Sequence, residues 1–421
     1  MKRVVFLIAL ICTSQLSIGQ VIEGSFYHHG LKAYQKKDYK SYLAQMRLAD
    51  EALPNQVRVL TNLTKAYALN GRKARAVQQL RKLVLLNANY DFQNDSDLKS
   101  IVGYKGYLEI VNLQKLLLTT EENDEIYRTI DNDSNHVESF VILDNGDILL
   151  GSVNRNKIIK VDQAGNLTDW LELPYSVLGM KIDPQTGFLW VASAATKRMQ
   201  GFSLSEMGKT FVIQIDIDKI RVIQGLEFNE AELFRDVVLD KESQLWLSNS
   251  MRPYVSRDDT DTIFTIGSFM RKQFDLDASH FHLHGLTLND EESVLYFGDY
   301  YAGIYKLNIA EDAIVKVRAS KDFHLAGMSS LYYHNNSLIT IQNGVRPLRV
   351  VQYFLDDKGE NVVGQNYINR GGKSLGDPTY GQIKDGYFYY ISNSPRSAYD
   401  VSLNLVITKV NDIEIRRFKL R

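Results

Sequence analysis

This sequence of 421 residues has a single cysteine, little excess charge of either sign and few long apolar runs. Each of these scarcities excludes a class of structure or of partner. The single cysteine is Cys12, so the chain beyond it has no disulfide and depends on apolar burial for its stability. A formal net charge of −1 argues against a nucleic-acid partner. The sequence also lacks a Walker loop, an HEXXH motif and a dinucleotide-binding fingerprint, so those enzyme classes are not supported.

The first residues of the chain have the pattern of a secretory signal peptide. Met1–Arg3 is a charged start, and Val4–Cys12 is an apolar core too short to span a bilayer. Ser17 and Gly19 are small residues at the offsets expected before a cleavage site, so residues 1–19 are predicted to be removed and the mature chain to begin at Gln20. The pattern predicts an exported protein, periplasmic or extracellular, with no membrane association after cleavage.

One short pattern recurs six times between residues 137 and 393. Each copy contains a hydrophobic pair, a polar hairpin-forming turn, and an apolar strand that ends in a small polar residue. The copies are spaced by roughly 40 to 57 residues, which is typical of four-stranded propeller blades. The six copies are Leu143–Ser152, Ile182–Ser193, Leu239–Asn249, Leu288–Asp299, Tyr332–Asn343 and Ile383–Asn393. This repeat predicts an all-β six-bladed propeller over residues 121–421.

A closing sheet is also expected, because an open ring of blades would expose strand edges. Closing strands are predicted near Leu405–Val410 and at Ile413–Leu420, with Glu125–Ile130 as the clasp. Glu121–Glu125 is predicted to be a charged hinge in front of the propeller.

Residues 20–118 are predicted to form an all-α domain, which makes the chain a mixed multi-domain protein. Leu60, Leu63, Leu80 and Leu83 recur at helical spacing around a turn at Gly71, and a looser copy lies about 33 residues earlier. The stretch resembles the tetratricopeptide repeat family. Two repeats are fewer than the three usually needed for stability, so the helices are expected to pack against the propeller or to dock a protein partner. A spacer and a peptide-binding groove are both compatible with the pattern.

Two sets of residues are predicted to face one end of the central channel, because the start of the first strand and the end of the second strand of each blade emerge on the same face. The first set is Glu138, Leu178, Arg235, Asp236, His284, Ser329 and Thr379. The second set is Ser152, Ser193, Asn249, Asp299, Asn343 and Asn393. Convergent polar groups in a concave site predict ligand binding. The alternative is that the second set caps exposed backbone at the strand ends.

Several of these positions lie in segments that resemble the gluconolactonase, senescence-marker and strictosidine-synthase-like propellers. The resemblance covers nearly all of residues 130–395. It is carried by His136–Glu138 with Gly151–Val153, Val177–Asp183, Arg235–Asp240, His284–Asn289, Gln342–Pro347 and Asp377–Gly381. It implies a six-bladed propeller, and it is weaker evidence for a reaction because a fold does not fix function.

The resemblance implies a divalent cation, often calcium, at the channel mouth, where it polarises a lactone carbonyl. Glu138 matches the first metal ligand of that family, and Glu138 and Asp236 are the catalytic candidates. Arg235, His284 and Ser329 stand where the other ligands are expected, and none of the three is a good calcium ligand. Glu138, Asp236 and His284 could instead hold a transition metal together with His280 and His282, if these side chains converged.

The arginines of the chain support another interpretation, in which the mouth binds a carboxylate or a phosphate. Arg235 and His284 would be joined by Arg346 and Arg349, since guanidinium groups suit planar anions. The alternative for Arg346 and Arg349 is pairing with the Asp356–Asp357 turn. The polar stretch 251–262 is predicted to be a lid over the mouth.

Two functions follow. The first is a binding protein for a small anionic or sugar-like molecule, and the second is a lactone or ester hydrolase with a remodelled metal site.

Overall fold

The computed structural model describes residues 18–132, 134–228, 232–251, 254–258, 271–276 and 282–420. The chain forms two compact units. One consists of Met1–Thr119, Ala319–Gly327 and Val345–Pro347, and the other of Thr120–Arg318, Met328–Gly344 and Leu348–Arg421. The predicted signal peptide lies outside the described residues except for its last two positions, and it stays a prediction. Within the described part, no helix is both long enough and apolar enough to cross a bilayer.

The first unit is helical, as predicted. Its helices are α1 (Ile18–Gln35), α2 (Tyr39–Ala52), α3 (Val57–Leu69), α4 (Lys73–Leu86) and α5 (Tyr107–Leu118), with a 3-10 helix at Ser96–Ile101. The Asp38 carboxylate caps α2 by accepting a hydrogen bond from the Ser41 backbone N–H (3.1 Å). Gly71, at φ +68°, forms the predicted turn between α3 and α4 in a conformation that favours glycine. Membership of the tetratricopeptide repeat family stays a prediction.

The second unit is a six-bladed β-propeller, which confirms the fold predicted from the repeat and from the family resemblance. Two strands, β1 (Glu121–Glu122) and β2 (Glu125–Ile130), precede the first blade. Blade A is β3 (Val137–Ile142), β4 (Ile148–Ser152), β5 (Lys157–Val161) and β6 (Leu167–Glu172). Blade B is β7 (Ser176–Ile182), β8 (Leu189–Ala194), β9 (Thr210–Asp216) and β10 (Arg221–Phe228). Blade C is β11 (Phe234–Leu239), β12 (Leu245–Asn249), β13 (Tyr254–Asp258) and β14 (Arg271–Asp275).

The other three blades follow in chain order. Blade D is β15 (Leu283–Leu288), β16 (Val294–Asp299), β17 (Gly303–Asn308) and β18 (Ala313–Lys316). Blade E is β20 (Ser330–His334), β21 (Ser337–Gln342), β22 (Arg349–Leu355) and β23 (Asn361–Arg370), to which β1 and β19 (Arg318–Ala319) add. Blade F is β24 (Gly381–Lys384), β25 (Tyr387–Ile391), β26 (Ile413–Lys419) and β2. The first strands of the blades contact one another in a closed circle, and apolar clusters fill the space between neighbouring blades.

Blade F closes the ring. The predicted clasp, Glu125–Ile130, pairs antiparallel with Ile413–Lys419, which confirms that part of the prediction. The prediction of a strand near Leu405–Val410 is wrong: this stretch contains a 3-10 helix at Ile407–Lys409. Ile407 is 60% exposed, so the stretch has no buried face against which a strand could pack.

The predicted hinge at Glu121–Glu125 is also wrong, because the segment belongs to the propeller. Asp124 has a side-chain exposure of 0% and accepts a hydrogen bond from Arg416 Nε on β26 (2.8 Å). Asn369 Nδ2 on β23 (3.1 Å) and the Tyr390 hydroxyl on β25 also donate to this carboxylate. One buried carboxylate therefore ties blade E to blade F, the blade that closes the ring.

Bulges in the first strands of four blades position the mouth residues. The register shifts leave Glu138 on β3, Leu178 on β7, Arg235–Asp236 on β11 and Gly285 on β15 without partners in their strand pairs. A bulge turns the extra residue away from the regular alternation of the strand. Gly285, at φ +56°, also allows close packing, since a Cβ there would lie 2.5 Å from the Leu331 backbone nitrogen.

Candidate functional site

A cavity of about 30 Å³ lies at the end of the channel where the first strands begin. Its lining residues are Glu138, Leu178, Arg235, Asp236, His284, Gly285, Ser329, Ser330, Thr379, Tyr380 and Arg396. All seven residues of the first predicted set therefore line one cavity. Their binding and catalytic roles stay predictions.

Glu138 is held by two basic side chains. Its Oε1 lies 2.7 Å from Arg396 Nε and 2.9 Å from His136 Nε2, and its side chain is only 9% exposed. Burial alone would raise the pKa of Glu138, but Arg396 and His136 hold it well below its usual range. The carboxylate is therefore ionised at neutral pH and already paired.

His136 positions this carboxylate. Burial lowers the pKa of His136, so the ring is neutral at pH 7 in spite of its carboxylate neighbour. Its Nδ1 lies 2.9 Å from the Tyr399 hydroxyl. A ring protonated on Nε2 donates to Glu138 and accepts from Tyr399, which satisfies both nitrogens.

Arg235 is the least satisfied cation of the cavity. It is half-buried, its Nε is buried without a hydrogen-bond partner, and no ion pair joins it to any carboxylate among the described residues. Burial lowers the pKa of Arg235; Glu138 opposes this, and Arg396 and Arg198 add to it. An arginine remains protonated even so.

Arg396 and Arg198 were missed by the sequence reasoning. They lie in the loops between the second and third strands of blades F and B, residues 392–412 and 195–209. The Arg198 guanidinium lies 5.3 Å from the centre of the Tyr399 ring, and its Nε is also buried without a hydrogen-bond partner. The signal that could have found both residues is that these loops emerge on the same face as the first predicted set.

Asp236 forms the polar floor of the cavity. The Tyr380 hydroxyl (3.0 Å) and the Val237 backbone N–H (2.9 Å) both donate to its Oδ1. Burial raises the pKa of Asp236 to about 6, although Lys181 and these hydrogen bonds act in the opposite direction. Asp236 therefore changes its charge near neutral pH, whereas Glu138 does not.

Two histidines of blade D form an aromatic wall beside Arg235. The ring centre of His284 lies 5.5 Å from that of Tyr300, and the ring centre of His282 lies 5.4 Å from that of Tyr301. Burial lowers the pKa of His282 to about 4 and that of His284 well below its usual range, and Arg235 contributes to both shifts. Both rings are neutral at pH 7. His280 lies outside the described residues.

Two hydroxyl groups complete the rim of the cavity. Ser329 Oγ donates to the carbonyl oxygens of Ile341 (3.3 Å) and Thr379 (3.4 Å), and Thr379 Oγ1 donates to the carbonyl of Glu138 (3.3 Å). These are long hydrogen bonds. Both hydroxyls can therefore reorient toward a bound molecule at low cost.

The second predicted set is absent from the lining of this cavity. Its members bond to nearby backbone. Asn249 Oδ1 accepts from the Met251 N–H (2.9 Å), Asp299 Oδ1 from the Tyr301 N–H (2.8 Å), and Asn343 and Asn393 donate to the carbonyls of Pro378 (3.2 Å) and Asp412 (2.7 Å). Ser152 and Ser193 are buried and also bonded. This geometry favours the capping interpretation for the set.

Arg346 and Arg349 do not line the cavity either. Arg346 belongs to the helical unit, where its backbone carbonyl accepts from the Ala88 N–H (2.8 Å). Arg349 is buried and donates through Nε to Gln342 Oε1 (2.7 Å). The predicted lid at 251–262 is also corrected in part, because Tyr254–Asp258 is the third strand of blade C. Residues 252–253 and 259–262 lie outside the described residues.

The residues of the cavity do not fit a calcium ion. Glu138, the expected first ligand, is paired with Arg396, and Arg235 brings a second positive charge into the same cavity. Among the described residues, no three histidine, aspartate, glutamate or cysteine side chains are grouped closely enough to hold a metal. A calcium ion would have to displace two guanidinium groups, which is electrostatically unfavourable.

Comparisons with known proteins give fold-level likeness only. No protein-family model matches the sequence, and no curated protein matches it. Virginiamycin B lyase from Staphylococcus aureus, solved with quinupristin, is 12% identical over 72% of this chain and 100% of its own, with a TM-score of 0.45. The PQQ-bound aldose sugar dehydrogenase from Streptomyces coelicolor is 12% identical over 72% of this chain and 98% of its own (TM-score 0.47). A gluconolactonase from Xanthomonas campestris is 11% identical over 70% and 88% (TM-score 0.47). At these identities and scores the likenesses carry no argument about ligand or reaction, and the chain stands as a six-bladed propeller with a helical unit.

Proposed function

We propose that the propeller binds a small carboxylate at the channel mouth. The observation that carries this proposal is Arg235, whose guanidinium lines the cavity with a buried Nε that has no hydrogen-bond partner. Leaving a buried donor unsatisfied is unfavourable, and a bound carboxylate would supply the missing acceptor.

The charges around the cavity support the same ligand. Arg198 and Arg396 both contribute to the lowered pKa of Arg235, and among the described residues only Arg396 of the three has a carboxylate at ion-pair distance. The positive charge of the mouth is therefore only partly compensated. Planar guanidinium groups match the geometry of a carboxylate.

The size of the cavity favours a small head group over an enclosed sugar ring. A water molecule needs about 10–15 Å³ on this measure, and the cavity has about 30 Å³. This is enough for the two oxygens of a carboxylate. A sugar acid would place its carboxylate in the cavity and its hydroxyls outside, near the aromatic wall of blade D.

Isothermal titration of the full chain with acetate and with gluconate tests this proposal, with acetamide and sorbitol as uncharged counterparts. The acids are expected to bind and the uncharged compounds to bind weakly or not at all. Arg235→Gln is expected to weaken binding about ten- to hundredfold, the loss of a charge-assisted hydrogen-bond pair. Arg235→Lys should recover part of it.

Arg221→Gln is the matched control, because it makes the same change at an exposed position on β10. It should leave the affinity for both acids unchanged. If neither acid binds, or if Arg235→Gln and Arg221→Gln behave alike, the mouth is not a carboxylate site.

A lactone or ester hydrolase is the second candidate, and one observation favours it. Asp236 and Glu138 line the same cavity with pKa values displaced in opposite directions, about 6 for Asp236 and well below the usual range for Glu138. Such a pair suits general acid–base chemistry. Hydrolysis of one or more lactones of a panel, lost in Asp236→Asn, would establish the hydrolase function. Loss of that hydrolysis on addition of a chelator would show that the reaction needs a metal ion.

We also propose that the chain is exported and that its helical unit docks a protein partner. The charged start and short apolar core of residues 1–19 support the first part. Cell fractionation with N-terminal sequencing tests it, and a mature N-terminus at Gln20 is the expected result. Crosslinking of the exported protein, with and without residues 20–118, tests the second.

A further inference from the structure

A second cavity, of about 210 Å³, lies in the propeller at the opposite end of the channel from the mouth. Its lining residues come later in the first strands than those of the mouth: Phe140 follows Glu138 on β3, and Leu239 follows Asp236 on β11. Tyr380 lines both cavities, and its hydroxyl donates to Asp236 and to the Met180 carbonyl. Tyr380 therefore lies between the two cavities, with Asp236 on the side of the mouth.

The chemistry of this lower cavity differs from that of the mouth. Seven of the eleven described residues that line it have apolar side chains, Phe140, Met180 and Leu239 among them, and polar atoms form slightly more than half of the lining surface. Among the described residues that line it, Lys181 is the only charged one. Apolar side chains combined with a small number of polar side chains are characteristic of small-molecule sites.

Lys181 has no hydrogen bond or ion pair within the part of the chain that the structure describes. Burial lowers the pKa of Lys181, and Asp236 opposes this from beyond ion-pair distance. A second donor lines the same cavity: Gln382 uses its Oε1 to accept from the Ile142 N–H (2.8 Å), which leaves its amide nitrogen for another partner.

We infer that the lower cavity is a second binding site, which takes a monocarboxylate with a flat apolar body, such as a benzoate. The Lys181 ammonium and the Gln382 amide would hold the carboxylate, and the apolar walls would cover the ring. A cavity of ~150 Å³ is known to hold a benzene ring, so 210 Å³ is enough for a ring with its carboxylate.

The lining residues also determine which acids each cavity is expected to bind. The mouth has guanidinium groups and little volume, which suits a small or hydroxylated acid, whereas the lower cavity offers one ammonium and seven apolar side chains. The lower cavity should therefore reject gluconate and prefer an aromatic acid over its uncharged amide.

The probe for the experiment is 4-fluorobenzoate, observed by fluorine NMR with the full chain, with 4-fluorobenzamide as the uncharged counterpart. Lys181→Met keeps the length and apolar stem of the side chain and removes the charge. It is expected to weaken 4-fluorobenzoate binding about ten- to hundredfold, with both titrations made in the Arg235→Gln chain so that the mouth does not contribute. Lys219→Met, at an exposed lysine in the β9–β10 turn, is the matched control and should have no effect.

A second measurement locates the site without a substitution. Acetylation of Lys181 by acetic anhydride, followed by peptide mass spectrometry, is expected to slow several-fold when 4-fluorobenzoate is present, while acetylation of Lys219 stays constant. The inference is overturned if 4-fluorobenzoate does not bind to the Arg235→Gln chain, or if Lys181→Met leaves its binding there intact. It is equally overturned if the amide binds as well as the acid. Acetate binding at Arg235 is measured separately, so failure of one site does not imply failure of the other.

Discussion

Asp236→Asn is expected to change how the stability of the propeller depends on pH. The carboxyl is 5% exposed, and burial raises its folded-state pKa from 3.8 to about 6. The folded pKa lies above the unfolded one, so the stability contributed by the protonated group is fully present below about pH 4 and is lost as the pH rises through about 6. Two pKa units at 1.36 kcal/mol each correspond to ~3 kcal/mol, of which most is lost between pH 4 and 8.

In the asparagine variant this loss is absent. The free energy of unfolding of Asp236→Asn minus that of the unaltered chain should therefore increase by roughly 2–3 kcal/mol from pH 4 to pH 8. The difference in the free energy of unfolding at any single pH is less informative. In the variant, the asparagine N–H₂ can face the donors that bond to the Asp236 carboxylate in the unaltered chain. The slope with pH is the quantity to test.

Urea unfolding followed by tryptophan fluorescence measures this slope in the propeller alone, because the three tryptophans, Trp170, Trp190 and Trp246, all belong to that unit. Asp218→Asn makes the same change in an exposed turn and serves as the control. Parallel stability curves for Asp236→Asn and the unaltered chain would refute the assignment of a raised pKa to Asp236.

Three further outcomes follow from the structure. Asp124→Ala leaves the buried Arg416 guanidinium without its main partner and should lower the free energy of unfolding by about 3 kcal/mol in the urea assay. The control Asp218→Ala should lower it little. Equal stabilities of the two variants would contradict the role given to Asp124. Gly285→Ala places a Cβ 2.5 Å from the Leu331 backbone nitrogen and should destabilise the propeller by more than 3 kcal/mol. Gly165 also has a positive φ, but a Cβ there would have no neighbour within 4 Å, so Gly165→Ala should destabilise the propeller by only about 1–2 kcal/mol. Acetate affinity at the mouth should fall about three- to tenfold as the pH rises from 5.5 to 7.5, because Asp236 becomes negative and repels the acetate anion. Titration calorimetry should show this fall in the unaltered chain and not in Asp236→Asn.

The sequence predicted the first set of mouth residues because these depend on the repeat alone. Once the six strand-turn-strand copies are aligned, Glu138, Asp236 and His284 occupy the same place in their blades, and the convergence of the blades brings them together. The direction in which they point was not predictable, since it depends on bulges such as the one at Glu138 that alternation of apolar residues does not reveal.

Arg198 and Arg396 could not be found in the same way. They lie on loops 195–209 and 392–412, which differ in length and have no counterpart in the other blades. Arg346 was misplaced for the opposite reason: it follows a repeat copy closely, yet its backbone pairs with residues 86–88 of the helical unit. Loop conformation was the missing information in both instances.

The pairing of β2 with β26 has a consequence during synthesis. Glu125 and Arg417, which form an ion pair at 2.7 Å, are 292 residues apart in the chain. At ~5–20 residues per second, a ribosome needs roughly 15–60 s to translate that interval. Throughout it the strand Glu125–Ile130 has emerged without its partner, so the last blade is completed only after nearly the whole chain has been made.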